Sequence, residues 1–272
     1  MRAVRLAAIA LAVAFALVVA GVALLVAFQR RLLYQPAREG EAAALARAAR
    51  LGLTPWRDGA GALLGWRGDA VEAPRARVLV LHGNAGSALD RAGYVEALAP
   101  HGLDVVLLEY PGYGPRGGEP SLASLGGAAA AALETLAVEG GPVWLVGESL
   151  GSGVAGRAFA ARPALVSALL LVTPFADLAD VARARFPLIP AALLRDRWAP
   201  VRDLASFERP AVVLVAGKDE VVGAEQGRRL FDALRGPKRL YEDADAKHNT
   251  LDLDAEAAMW GEIVSFLATP RG

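Results

Sequence analysis

Residues 147–151 read Gly147-Glu148-Ser149-Leu150-Gly151, directly after the apolar run Val143-Trp144-Leu145-Val146. A serine with glycine two residues before and two after it, between a buried strand and a helix, has the form of a nucleophile elbow. The serine sits at the tip of a strained turn. That turn is too sharp to leave room for side chains at the glycine positions. A chain that carries it must deliver a strand into a helix at one edge of a sheet.

The rest of the sequence supplies such a sheet. Apolar runs at 77–81, 105–109, 143–146, 168–172, 212–216 and 238–241 read as strands. They alternate with helical stretches at 89–99, 122–138, 151–161, 223–234 and 253–267. Residues 53–68 read as an early antiparallel hairpin. Buried strands alternating with helices imply a mostly parallel sheet covered on both faces. Sheets of this kind place their sites at the carboxyl ends of the strands.

A serine hydroxyl needs a base to take its proton and a third group to orient that base. Elbow hydrolases carry the three in the order Ser, acid, His. Of the three histidines, His82, His101 and His248, only His248 follows Ser149. Asp219 comes just past the strand at 212–216, where a carboxylate reaches an imidazole; it could also cap the following helix. Glu220 is the rival acid, and Asp243 and Asp245 read as turn residues. Backbone N–H groups of Leu150 and Asn84 are the expected oxyanion donors. His82 is then expected to fix the Asn84 loop, and His101, at a helix end, to have no chemistry.

Taken together, Leu81-His82-Gly83-Asn84-Ala85-Gly86, Tyr110-Pro111-Gly112-Tyr113-Gly114, Gly147–Gly151, Thr173-Pro174-Phe175, Gly217-Lys218-Asp219-Glu220-Val221-Val222 and Lys247-His248-Asn249 resemble the α/β-hydrolase superfamily. Within it the chain is similar to the Bem46-like and ABHD12/13/17-like membrane-anchored serine hydrolases. Leu32-Leu33-Tyr34-Gln35-Pro36 after a hydrophobic segment belongs to the same likeness. The resemblance implies an α/β-hydrolase fold preceded by one N-terminal transmembrane helix, with Ser149, Asp219 and His248 as the triad. It leaves the substrate open among lipid esters, thioesters and peptides.

Residues 6–28 carry no charge and would span roughly 35 Å as a helix, enough to cross a bilayer. A cleaved signal with a site near Ala20-Gly21 is the competing reading, but the run is longer than a signal core and Arg30-Arg31 close it as an anchor. Arginines at both ends leave the orientation open. The expected organisation is an anchor at 1–31, a juxtamembrane linker at 32–50, of which 39–50 reads as a short helix or linker, and a hydrolase domain at 51–272 with a short lid at about 176–206. Because no expected site residue precedes Asn84, the anchor is expected to add nothing to the chemistry. The lid's Phe186-Pro187-Leu188-Ile189-Pro190, Leu193-Leu194 and Trp198 suit an apolar acyl group, or else a helix packed as ordinary core.

The formal net charge of zero gives no nucleic-acid footprint. The absence of cysteine excludes a disulfide framework and thiolate metal sites, and no histidines lie at ligand spacing, so no metal or cofactor is expected. The leading expectation is a membrane-anchored serine hydrolase of an ester or thioester. The alternatives are a non-catalytic membrane-tethered binding protein on the same fold, or an acyltransferase or peptidase using the same triad.

Overall fold

The computed structural model describes residues 1–269. Its apolar runs pair into one eight-stranded sheet: β1 (Thr54–Arg57), β2 (Leu63–Arg67), β3 (Ala76–Leu81), β4 (Leu103–Leu108), β5 (Val143–Glu148), β6 (Val166–Val172), β7 (Ala211–Ala216) and β8 (Lys238–Asp243). Their spatial order is β8-β7-β6-β5-β3-β4-β2-β1. The β1–β2 and β2–β4 pairs are antiparallel and the others parallel. Every residue of β4 and β7 is buried, as expected of strands covered on both faces. The edge strand β8 instead mixes half-buried Lys238 and Tyr241 with exposed Arg239 and Glu242, which discourages pairing with another chain.

The helices are α1 (Arg2–Leu33), α2 (Glu41–Arg50), α3 (Gly93–Leu98), α4 (Leu122–Val138), α5 (Leu150–Ala161), α6 (Leu178–Arg185), α7 (Pro200–Asp203), α8 (Ala224–Ala233) and α9 (Met259–Leu267). Side chains alternate across a strand, so β3 feeds two cores. Leu79 and Leu81 join Leu133 of α4, Val154 of α5 and Leu230 of α8 on one face. Val78 and Val80 join Tyr94 of α3 and Trp260 of α9 on the other. Burying each such side chain stabilises by about 1.5–3 kcal/mol.

Two local expectations are corrected. The stretch at 89–99 is a 3₁₀ turn (Ala88–Arg91) followed by the short α3. The last helix starts at Met259 rather than 253, because the chain first turns at Asp252 and Asp254; the Trp260 indole N–H donates to the Asp254 carbonyl (2.8 Å) and fixes that turn. The juxtamembrane segment 32–50 contains the helix α2 and packs on the body: Tyr34, Ala44 and Ala48 are buried, and Gln35-Pro36 pairs in parallel with Ala85-Gly86.

α1 is long and apolar enough to cross a membrane, with a mean hydropathy of 3.0 over its most apolar window and none of that window buried. The excursion between β6 and β7 carries α6 and α7. α6 has no fully buried residue, but its Leu178 and Val181 are half-buried against the core that holds α4, α5 and α8, and α7 is seated against Gly156 of α5.

Candidate active site

The elbow is built from the steric demands of its two glycines. Ser149 takes φ 51° and ψ −113°, a strained conformation for a side-chain-bearing residue. It is held by its N–H donating to the Val172 carbonyl on β6 (2.9 Å) and by the Ser152 N–H donating to its own carbonyl (2.9 Å). A Cβ on Gly147 would come within 2.8 Å of the Gly151 carbonyl oxygen, and one on Gly151 would overlap the Leu81 carbonyl. Gly151→Ala is therefore expected to push α5 off the end of β3 and destabilise the fold by about 1–3 kcal/mol or more. Gly127→Ala, on an exposed turn of α4 with nothing near the added Cβ, is expected to stabilise by about 0.5–1 kcal/mol. Thermal melts of the two variants test this opposite sign.

The structure brings Ser149, His248 and Asp219 together. The Ser149 hydroxyl lies 2.9 Å from His248 Nε2, and His248 Nδ1 lies 2.7 Å from Asp219 Oδ2. The two oxygens of Asp219 do different work. Oδ1 accepts the N–H groups of Val221 and Val222 (both 2.9 Å), ordering the approach to α8, while Oδ2 faces the imidazole. Burial alone would raise this carboxyl, but the His248 hydrogen bond and the backbone donors outweigh it and hold it below its ordinary value. Glu220 is exposed and accepts the His248 backbone N–H (3.3 Å), not an imidazole nitrogen. Asp243 accepts the N–H groups of Asp245 and Ala246, which shapes the loop carrying His248. That loop is tied to the Asp219 loop by Gly217 N–H to Asp243 carbonyl (2.7 Å) and Lys218 N–H to Ala246 carbonyl (2.9 Å).

Leu150 opens α5, whose first N–H groups have no intrahelical partner. The close approach of Gly151 to Leu81 sets this helix start beside the loop that leaves β3. Asn84 in that loop is held by three hydrogen bonds. Its carbonyl accepts from Gln35 N–H (2.9 Å) and Tyr113 Oη (2.7 Å), and its side-chain amide donates to the Leu33 carbonyl (3.0 Å). A cavity of about 320 Å³ with a mixed lining opens beside the serine, bounded by Arg91, Tyr94, Glu148 and His248 and by Val172, Leu251 and Leu253. Arg91 grips Glu148 through two contacts of 2.7 Å, and Tyr94 Oη adds a third at 3.3 Å. Sequence reasoning missed this brace on the residue next to Ser149. Glu148 was in view within the motif, but nothing local marks Arg91 as its partner.

His82 is buried under Tyr110, with ring centroids 4.0 Å apart, and its Nδ1 donates to the Gly83 carbonyl (2.8 Å). Burial pushes its imidazole down to about 3 and pushes the neighbouring Glu109 carboxyl up to about 7, despite donors from Trp66 and Ala88 to the latter. A depressed imidazole contributes stability that is present above its unfolded value of 6.5 and lost as pH falls toward 3. A raised carboxyl contributes stability that is present below its unfolded value of 4.5 and lost as pH rises toward 7. Between these unfolded values the folded chain holds a proton on Glu109 where the unfolded chain holds one on His82, so the two effects cancel. Glu109→Gln removes one of them. It is expected to lose on the order of 2 kcal/mol of stability on acidification from pH 6.5 to 4.5 that the parent does not lose. Denaturant unfolding at the two pH values checks this, and equal losses in both proteins would contradict it.

A family model described as the alpha/beta hydrolase family matches residues 78–267. The chain is 37% identical over 195 residues to an uncharacterized protein of Mycobacterium tuberculosis, covering 70% of this chain and 69% of that one. It is 27% identical over 280 residues to the alpha/beta hydrolase domain-containing protein WAV2 of Arabidopsis thaliana, covering 92% and 91%. It is 29% identical over 209 residues to the Mus musculus lysophosphatidylserine lipase ABHD12 and spans about half of that protein's length (52%), with 69% of its own residues covered. Among solved structures, the Pyrococcus furiosus esterase Pf2001 has the same fold, with a TM-score of 0.64 at 16% identity, covering 86% of this chain and 97% of that one. The matched residues run from β3 through α9 and contain the elbow and both loops that meet it, and by that match the chain belongs to the α/β-hydrolase family.

Proposed function

We propose that the protein is a membrane-anchored serine hydrolase that cleaves an ester or thioester of a lipid-like acyl group through an acyl-enzyme. The observation that carries this reading is the unbroken path from Ser149 Oγ through His248 to Asp219 at the carboxyl ends of three parallel strands. In the first half-reaction Ser149 Oγ bonds to the acyl carbon while its proton passes to His248 Nε2. The carbon–oxygen or carbon–sulfur bond to the leaving group then breaks, and that proton goes to the leaving group. Water repeats the sequence against the acyl-enzyme and restores the serine. Asp219 holds the imidazole in the tautomer that accepts from Ser149 and stabilises the imidazolium. The N–H groups of Leu150 and Asn84 are the donors for the oxyanion.

Likeness to a lysophosphatidylserine lipase supports a lipid ester as the substrate. Support for a retained anchor comes from the length of α1 and from its last turns, where the Arg30 guanidinium grips Asp196 at 2.8 and 2.9 Å. The test is a panel of esters and thioesters of graded acyl length with full-length protein in detergent. The mature amino terminus is sequenced by mass spectrometry. Hydrolysis of at least one class, and a chain retained with membranes after alkaline washing, are expected. No turnover of any member would count against the reaction, and a mature chain beginning after Ala20 would count against the anchor.

A further inference from the structure

The helix expected only to tether the protein also builds a wall of a cavity. An apolar chamber of about 270 Å³ lies between the last turns of α1 and the excursion after β6. Leu25, Val26 and Leu33 line it from α1, and Val181, Ala182 and Leu193 from the other side. Its volume approaches the lower end of ligand pockets, about 300 Å³. The two walls are fastened together. Gln29 donates to the Leu193 carbonyl (3.2 Å) and accepts from the Arg195 N–H (2.7 Å). Asp196, with only 5% of its side chain exposed, accepts from Nε and Nη2 of Arg30 and from the Tyr34 hydroxyl, and the Trp198 indole N–H donates to that hydroxyl. Such a network is far more than a flexible tether needs, since a buried carboxylate without these donors would be costly.

Resting on the reading of Ser149 as the nucleophile, we infer that this chamber receives the acyl chain of the substrate directly from the bilayer, with α1 as a specificity-determining wall. Three observations point to that occupant. The lining is apolar apart from the Arg30–Asp196 fastening, Gln29 and Arg185, so it suits hydrocarbon rather than a headgroup. The chamber also sits where α1 leaves the membrane. A helix of 32 residues is roughly 48 Å long against a hydrocarbon core of about 30 Å, and its lining residues fall in the last third, ahead of Arg30 and Arg31 and on to Leu33. Phe186 and Leu188, on the same excursion, are 51% and 94% exposed, a rim of apolar side chains beside the anchor. Finally, a wall of the chamber is hydrogen-bonded to the loop that carries Asn84. The carbonyl of its lining residue Leu33 accepts the side chain of Asn84, whose backbone N–H is the expected oxyanion donor. An acyl group with its carbonyl at Ser149 and its tail in the chamber would pass along this contact. The mixed cavity at Arg91 and His248 is left for the leaving group.

Val26→Trp on α1 and Ala182→Trp on α6 each fill the chamber from an opposite wall. In full-length protein in detergent, each is expected to lower kcat/KM at least tenfold for a dodecanoyl ester and less than twofold for the acetyl ester of the same alcohol. A parallel fall for both esters, or no change for either, would overturn the inference. A second readout does not depend on turnover. Ser149→Ala protein in vesicles is irradiated with a long-chain fatty acid bearing a diazirine near its tail, and the adducts are mapped. Adducts concentrated on residues 25–33 and 178–194 are expected, and adducts spread along α1 with none on the excursion would contradict the chamber. If Ser149 is not the nucleophile, the parent and Ser149→Ala proteins turn over the acetyl ester equally. That result sinks the reaction while the adduct map still decides the chamber.

Discussion

Replacing Ser149 by alanine is expected to lower kcat by about 10⁴ or more on any ester the protein hydrolyses, and His248→Ala by a similar factor. The hydroxyl and the imidazole, 2.9 Å apart, act as one device: without the base the hydroxyl stays protonated, and without the hydroxyl the base has nothing to activate. The double variant is therefore expected to be little worse than the worse single one, retaining the residual rate from the oxyanion donors and binding. Losses that multiply would show that the two residues act independently, and would remove the basis for grouping them. Ser149→Ala should alter the melting temperature little, because Ser149 is only half-buried, whereas His248→Ala removes the partner of the buried Asp219 Oδ2 and is expected to lower it.

Asp219→Asn is expected to cut kcat by about 10³–10⁴, whereas Glu220→Gln should change it less than severalfold. An amide in place of Oδ2 offers an N–H toward Nδ1, favours the wrong imidazole tautomer and cannot stabilise the imidazolium. Oδ1 would keep its role toward the Val221 and Val222 N–H groups, so Asn preserves the loop and isolates the electrostatic loss. Glu220 touches the backbone of His248 and is solvent-exposed, and its charge is screened. Steady-state rates of the two variants on the same ester give the ranking, and the reverse order would assign the orienting charge to Glu220.

Much of the fold was legible because its signals are local. Parallel strands buried on both faces read as continuous apolar runs, and six of them stand where 77–81, 105–109, 143–146, 168–172, 212–216 and 238–241 place them, each extended or shifted by one or two residues. The elbow was legible because its glycines answer to contacts within a few residues and to the end of the neighbouring strand. Asp219 and His248 could be picked out because strand ends and chain order restrict the choice, and the structure sets His248 against Ser149 and Asp219 against His248.

What stayed hidden depends on pairs far apart in the chain. Arg30 meets Asp196 across 166 residues and Arg91 meets Glu148 across 57, and no periodicity signals either. The packing of α2 was hidden for a different reason. Its buried face is two alanines, Ala44 and Ala48, spaced one helical turn apart but too small to stand out from an alanine-rich background. The start of α9 was misplaced because Leu253 and Ala255 continue an apolar pattern through what the structure makes a turn.

Peptide mapping after reaction with a fluorophosphonate tests the central claim most directly. The reagent reports only a serine activated by its surroundings. Full-length protein in detergent is treated, digested and analysed by mass spectrometry. A single adduct on Ser149, absent from Ser149→Ala and strongly reduced in His248→Ala, is the predicted result. An adduct on another serine, or undiminished ester turnover by protein that carries no adduct, would contradict the assignment of Ser149 as the nucleophile.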